Sequence, residues 1–307
     1  MTVDRRSFLR AGLGAAAAAA VGGVAPSART SARPVQSAAR RQRLSLKWGM
    51  IEAGSTIAEK LDILKRSGYD GVEIDSPSDL NLDEVIEASK RTGIVVEGVV
   101  DSVHWNQPLS SSDAAVREKG LKGLLRALND CAKVKATTVL LVPAVVNAGT
   151  NYADAYKRSQ DEIRKALPVA RELGVKIAIE NVWNKFLLSP LEAARYIDEF
   201  ESDSIGWHFD IGNIVNDGWP EQWIRILGKR ILKLDVKEFS RKRRDNEGLW
   251  KGFECEIGEG DVDWKAVRAA LDEIGYNGWA AAEVGGGDEK RLKDICDRMD
   301  RCLNSPD

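Results

Sequence analysis

The sequence predicts an α/β protein built as a single (β/α)8 TIM barrel, and three observations carry that expectation. From Leu44 onward, short apolar runs alternate with helical patterns, an order that implies parallel strands joined by right-handed crossovers. The runs number eight, which favours closure of the sheet. The last four each bear a carboxylate near the C-terminal end: Glu180 in IAIENVWN, Asp210 in GWHFDIGN, Asp235 in ILKLDVKE and Glu283 in WAAAEVGG. In such a barrel these ends converge on one mouth, where the fold keeps its chemistry. An open doubly wound sheet is the alternative, but no G-x-G-x-x-G follows the first run.

The chain divides at its N-terminus into residues 1–43 and a barrel over 44–307. In the first segment Arg5 and Arg6 precede Phe8, Leu9 and a modestly apolar Ala/Gly run, then an Arg, Ser and Ala-rich stretch. This resembles a twin-arginine export signal followed by a flexible linker. The apolar run is too short for a spanning helix. The expectation is export to the periplasm or the exterior after cleavage between Ala25 and Ala39, with no membrane attachment afterwards; a disordered basic tail or an uncleaved anchor is the other reading.

Within the barrel, strands are expected at 44–50, 71–76, 94–101, 137–144, 175–182, 205–212, 231–238 and 278–285. Helical patterns such as TIAEKLDILKRSG, LDEVIEASKRTG and DWKAVRAALDEIG each end in glycine, where a left-handed cap is wanted. Alternate strand residues face opposite sides. Parity therefore turns Ala178 and Glu180, Ala281 and Glu283, His208 and Asp210, and Lys233, Asp235 and Lys237 inward. The alanine below each glutamate leaves room for a site. Lower down, Lys47, Glu73, Lys233 and Glu97 also face inward, and should be matched into structural ion pairs because an unpaired buried charge costs roughly several kcal/mol.

Composition narrows the partners. Residues 1–40 hold six arginines and one aspartate, so a chain of net charge −2 has a body near −7. A mildly acidic body is a poor nucleic-acid binder, since phosphate contacts need a basic surface. Cys131, Cys255, Cys296 and Cys302 lack C-x-x-C spacing, and all four read as packing residues. Nothing in the sequence decides against a homo-oligomer.

Four carboxylates from separate strands suit a hard divalent ion, Mn²⁺, Mg²⁺ or Co²⁺ in preference to Zn²⁺. The other reading is a set of salt-bridged rim acids. Trp48, Trp105, Trp183 and Trp250, among nine tryptophans, fall at or near the mouth, and aromatic faces stack on sugar rings as they also pack in cores. No Gly-rich phosphate cradle is evident, which points to a free sugar or glycoside derivative as the small-molecule substrate.

The runs IAIENVWN, HFDIGN, LDVKEFSR, GEGDVDW and AAAEV together resemble the sugar phosphate isomerase/epimerase superfamily, with its xylose isomerase-like barrel, over roughly residues 44–300. The resemblance implies that Glu180 and Glu283 both ligate the metal and exchange protons with substrate, and that Asp210 is a ligand. Its strand-seven ligand, usually His and in some members Gln, falls on Asp235. Where related epimerases carry a substrate-touching His three residues after the strand-six Asp, this chain has Asn213, and the substrate-contacting arginine falls on Arg241. Zinc-dependent apurinic endonucleases share the barrel but need many histidines, and His104 and His208 are too few. His104, beside Trp105, could reach substrate; His208 reads as structural.

The expected chemistry is proton abstraction next to a sugar carbonyl through an enediolate, one glutamate taking the proton and the other returning one. Lys237 points into the mouth and could stabilise the oxyanion, or pair with Asp235 or Glu238. Two further readings stay open: a lyase or hydrolase of 3-keto-glycosides using the same abstraction, and a carbohydrate-binding barrel without turnover.

Overall fold

A computed structural model describes residues 42–305. The export-signal reading and the domain boundary at residue 43 rest on residues 1–41, all but the last two of the N-terminal segment, and these lie outside the described residues.

Eight parallel strands alternate with helices: β1 (Arg43–Leu46), α1 (Ile57–Ser67), β2 (Gly71–Ser76), α2 (Leu82–Thr92), β3 (Val95–Asp101), α3 (Ala114–Lys133), β4 (Thr138–Leu141), α4 (Tyr152–Leu173), β5 (Lys176–Glu180), α5 (Pro190–Asp198) and β6 (Ile205–Asp210). They continue through α6 (Gly212–Val215), α7 (Pro220–Leu227), β7 (Ile231–Val236), α8 (Arg241–Glu247), α9 (Trp264–Ile274), β8 (Trp279–Ala282) and α10 (Glu289–Leu303). Each strand pairs with its sequence neighbour and β1 pairs with β8; a single parallel bridge, Lys47 to Glu73, spans the β1–β2 seam of a nearly closed barrel.

The helix signals in the sequence act as expected. Thr56 caps α1 by accepting from the Glu59 N–H, Asp263 caps α9 from the Ala266 N–H, and Gly68, Gly93 and Gly275 end their helices at positive φ. Every strand but β2 is shorter than expected, and three show how the ladder ends. β1 stops at Leu46 because the chain turns into a 3-10 segment at Trp48–Met50 and residues 50–52 bond to Gly287 instead. Past β4 the ladder gives way to side chains: His104 Nδ1 accepts the Val142 N–H and Ser110 Oγ the Val145 N–H. β8 stops at Ala282, although the Glu283 N–H still reaches the Val236 carbonyl.

Beneath the mouth lies the expected charged layer. Lys47 pairs with Glu73, Lys233 pairs with Glu97, and Ser45 Oγ donates to Glu97 at 2.9 Å. Burial draws the Lys233 ammonium down to about 7, and Glu73 opposes that shift. The layer requires a residue without a side chain at Gly98, where a Cβ would collide with the Lys233 ammonium and the Glu73 carboxylate. The cysteines are free, with Cys131, Cys296 and Cys302 buried and Cys255 half-buried. No described helix is long and apolar enough to cross a membrane.

Candidate active site

The mouth is assembled by strand ends. Glu180 and Asp210 are the last residues of β5 and β6, Asp235 the next to last of β7, and Glu283 follows β8 directly. Ala178 and Ala281 lie buried below the two glutamates, as parity requires. A register shift between Trp207 and His208 brings His208 level with Lys233 and Asp210 level with Asp235. That bulge turns two strands of differing parity into one layer of acids.

Each of the four acids offers one oxygen, and these four oxygens lie within 4.8 Å of one another. Glu180, Asp210 and Asp235 are buried, whereas the Glu283 side chain is 38% exposed. Lys237 Nζ lies 2.9 Å from Asp210 Oδ2 and also contacts Glu283. Lys237 therefore pairs with Asp210 and Glu283, and not with Asp235 or Glu238, the partners also considered for it. Its stem has room only because Gly212 carries no side chain, since a Cβ there would strike it.

The electrostatics are lopsided. At full ionisation the four acids face only Lys237 within their own layer, an excess of three negative charges. Burial, then Glu283, Asp235 and Asp210, drive Glu180 well above the usual carboxylate range. Burial likewise raises Asp210 to about 7, against the pull of Lys237. Asp235 differs: burial opposes its ionised form, but His208 Nε2 and Lys47 Nζ, each 2.9 Å away, hold it well below its ordinary value. Burial disfavours the Lys237 ammonium, yet Asp210 and Glu283 keep its pKa raised.

A divalent cation fits this donor set. All four donors are hard carboxylate oxygens converging on one point, and the groups that touch them, Lys237 at Asp210 Oδ2 and Glu283 Oε2 and His208 with Lys47 at Asp235, leave an excess of negative charge. Both aspartates have both oxygens engaged, Asp235 by His208 and Lys47 and Asp210 by the Asn213 N–H and Lys237.

Glu180 and Glu283 line a cavity of about 740 Å³, together with Lys47, Asp75, His104, Trp105, Trp183, Asn213, Lys237, Trp250 and Phe253, whereas the fully buried Asp210 and Asp235 do not reach its surface. His104 accepts the Val142 N–H at Nδ1, so Nε2 carries its hydrogen, and burial with Lys47 nearby lowers its pKa to about 4. It enters the site as a neutral donor. Asn213 lines the cavity too, with its N–H on Asp210 Oδ1 at 2.8 Å and its amide donating to the Asn181 carbonyl. Trp48, expected near the mouth, does not line the cavity and lies under Lys60.

Arg241 requires correction. It starts α8, and its guanidinium donates to the Val215 and Gly218 carbonyls at 2.9 Å each, beside Trp219. It does not line the cavity, and it ties two βα loops together.

Two roles of consequence, those of Asn181 and Glu238, escaped sequence reasoning. Asn181 Oδ1 accepts from Trp207 Nε1 and the Asp210 N–H, both at 3.0 Å, and its amide donates to the Asp210 carbonyl, which fixes the end of β6. The signal was a polar residue at an outward position next to Glu180. Glu238 accepts from the Gly258 and Val262 N–H groups and from Trp264 Nε1 at 2.9 to 3.1 Å, which explains why GEGDVDW follows strand seven.

Residues 61–302 match the family model described as xylose isomerase-like TIM barrel. The chain belongs to that family. Among xylose isomerase-like relatives, L-ribulose-5-phosphate 3-epimerase of Escherichia coli O1:K1 is 26% identical over 242 residues, covering 74% of this chain and 82% of the relative. Among xylose isomerase-like folds of known structure, D-psicose 3-epimerase with D-fructose present superimposes with a TM-score of 0.69 at 20% identity, over 86% of this chain and all of that one. A 3-keto-D-glucoside 4-epimerase from E. coli gives 0.70 at 19% identity, over 85% and 99%.

Proposed function

We propose that the protein is a divalent-metal-dependent sugar isomerase or epimerase that abstracts a proton next to a carbonyl of a free sugar or oxidised sugar derivative. The carrying observation is the placement of Glu180 and Glu283. They stand on strands three apart around the barrel and still share one cluster of oxygens within 4.8 Å, so they flank a bound carbon from two sides. That the 26%-identical relative is a sugar phosphate epimerase supports the reaction class.

Glu180, Asp210 and Glu283 would hold the cation with Asp235 as fourth donor; when bound, it polarises a carbonyl and the neighbouring hydroxyl. Glu180 and Glu283 divide the proton work, one taking the C–H proton and the other delivering one to the opposite face or the adjacent carbon. Lys237 presents its ammonium to the oxygen that gains charge in the enediolate. His104 donates from Nε2 to a sugar oxygen, and Asn213 offers its free amide oxygen to a hydroxyl.

The test is deuterium incorporation from solvent into metal-loaded reactions with free ketoses and keto-glycosides, followed by NMR. Incorporation with a moved carbonyl or inverted centre supports the reading; full activity in Glu180→Gln or Glu283→Gln sinks it. Elimination of the aglycone from a 3-keto-glycoside is the second reading, favoured by the aromatic wall of the cavity, and an aglycone released in the same spectra would establish it. The paired arginines support export by the twin-arginine pathway; recovery of an uncleaved chain from the cytoplasm alone would refute it.

A further inference from the structure

We infer that the outer wall of the cavity binds a flat apolar group, and that the substrate is accordingly a keto-sugar joined by a glycosidic bond to an aromatic alcohol. This rests on the proton-abstraction reading for the position of the sugar, and on three separate features for the rest.

The first is an aromatic wall. Trp183, after β5, packs its ring 5.0 Å from Trp250 and 4.9 Å from Phe253, both in the connection after β7. Across the barrel, on the connection after β3, Trp105 stands edge-on to His104 at 5.7 Å. Trp250 is 68% exposed and Trp105 49%, although both line the cavity. Large aromatic surface left open inside a concave site is ligand-binding surface.

The second is the chemistry of that wall. Part of its hydrogen-bonding capacity is spent within the protein: Trp183 Nε1 donates to the Asn213 carbonyl, Ser102 Oγ to the Pro77 carbonyl, and the Asn213 NH2 to the Asn181 carbonyl, so what the wall presents is mainly ring face. A second sugar placed there would bury more hydroxyls than the wall can partner, a cost an aromatic ring does not incur.

The third is distance. Lys237 Nζ, which contacts Asp210 and Glu283, lies 5.5 Å from the centre of the Phe253 ring. The ammonium and the ring are thus in direct contact, so the aromatic wall adjoins the charged floor and a sugar bound beside Glu180 and Glu283 has its substituent next to that wall.

The experiment is calorimetric binding to the metal-loaded full chain of phenyl α- and β-D-glucopyranoside and of the corresponding methyl glycosides, none of which carries the reactive ketone. The phenyl member of at least one pair should bind about tenfold more tightly. That preference should fall to within about twofold in Trp250→Ala and Trp105→Ala, and persist in Trp250→Phe. Mn²⁺ titration and thermal melts confirm that the variants fold. Equal phenyl and methyl affinities, no binding of any of the four, or a preference untouched by both alanine variants overturns the inference. Phenyl preference without deuterium exchange on any keto-sugar upholds the aromatic site and strikes the proposed reaction instead, so the two failures are distinct.

Discussion

Two layers of charge occupy the same barrel interior, and they are built to opposite rules. In the lower layer Glu73 and Glu97 meet Lys47 and Lys233, two acids to two bases. One layer up, Glu180, Asp210, Asp235 and Glu283 face Lys237 alone, apart from the lean of Lys47 and His208 toward Asp235. Balanced pairs hold a barrel together without asking for anything further. The unbalanced layer draws protons, as the raised pKa values of Glu180 and Asp210 record, or it draws a cation.

The contrast can be broken from either side. The largest effect should follow Glu180→Gln or Glu283→Gln in the upper layer, a loss of turnover of about 10²–10⁴-fold with little loss of stability, read by steady-state kinetics beside urea unfolding. Lys233→Met in the lower layer should do the reverse. It strands Glu97 and costs roughly 3–5 kcal/mol of unfolding free energy, and the double variant with Glu97→Gln should recover part of that. Equal stability losses from the two layers would erase the distinction.

Metal sharpens it further. Mn²⁺ at about one hundred times its Kd should add about 2.7 kcal/mol to wild-type stability, and Asp210→Asn should weaken Mn²⁺ binding measured by calorimetry. Without metal, pH should act through the upper layer. Asp210 is raised in the folded protein from 3.8 to about 7, so the native state binds more protons than the unfolded chain between those values. Stability of the metal-free protein should therefore fall as pH rises from about 4 to 7, and Mn²⁺ should abolish the fall. A flat profile would mean that the acids are already neutralised by Lys237 and Lys47. The smallest effect is expected from Arg241→Ala, about 1 kcal/mol of stability with KM within about twofold of wild type; a large rise in KM would restore Arg241 to the substrate.

The fold and most of the inward layers were legible because they follow from periodicity. A period of two put Glu180, Asp210, Asp235 and Glu283 on one side of their strands, and the glycines after α1, α2 and α9 marked real caps. What stayed hidden depends on contacts between distant segments. The bulge at Trp207 and His208 that levels β6 with β7 leaves no local signature. Arg241 stood at the right spacing for a substrate contact, yet the carbonyls of Val215 and Gly218, on a neighbouring connection, claim it. The role of Asn181 was invisible because its partners, Trp207 and Asp210, lie 26 and 29 residues away.

The clamp made by Glu238 reaches beyond its own hydrogen bonds. It pins Gly258, Val262 and Trp264, while the Ser240 N–H holds the Gly252 carbonyl, so the connection after β7 is anchored on both sides of its tip. Arg241 to Lys251, with Trp250 among them, form a cassette between fixed posts. Substitutions from Lys242 to Lys251 therefore change the face that Trp250 turns toward the cavity without disturbing the carboxylates or the ion pairs below.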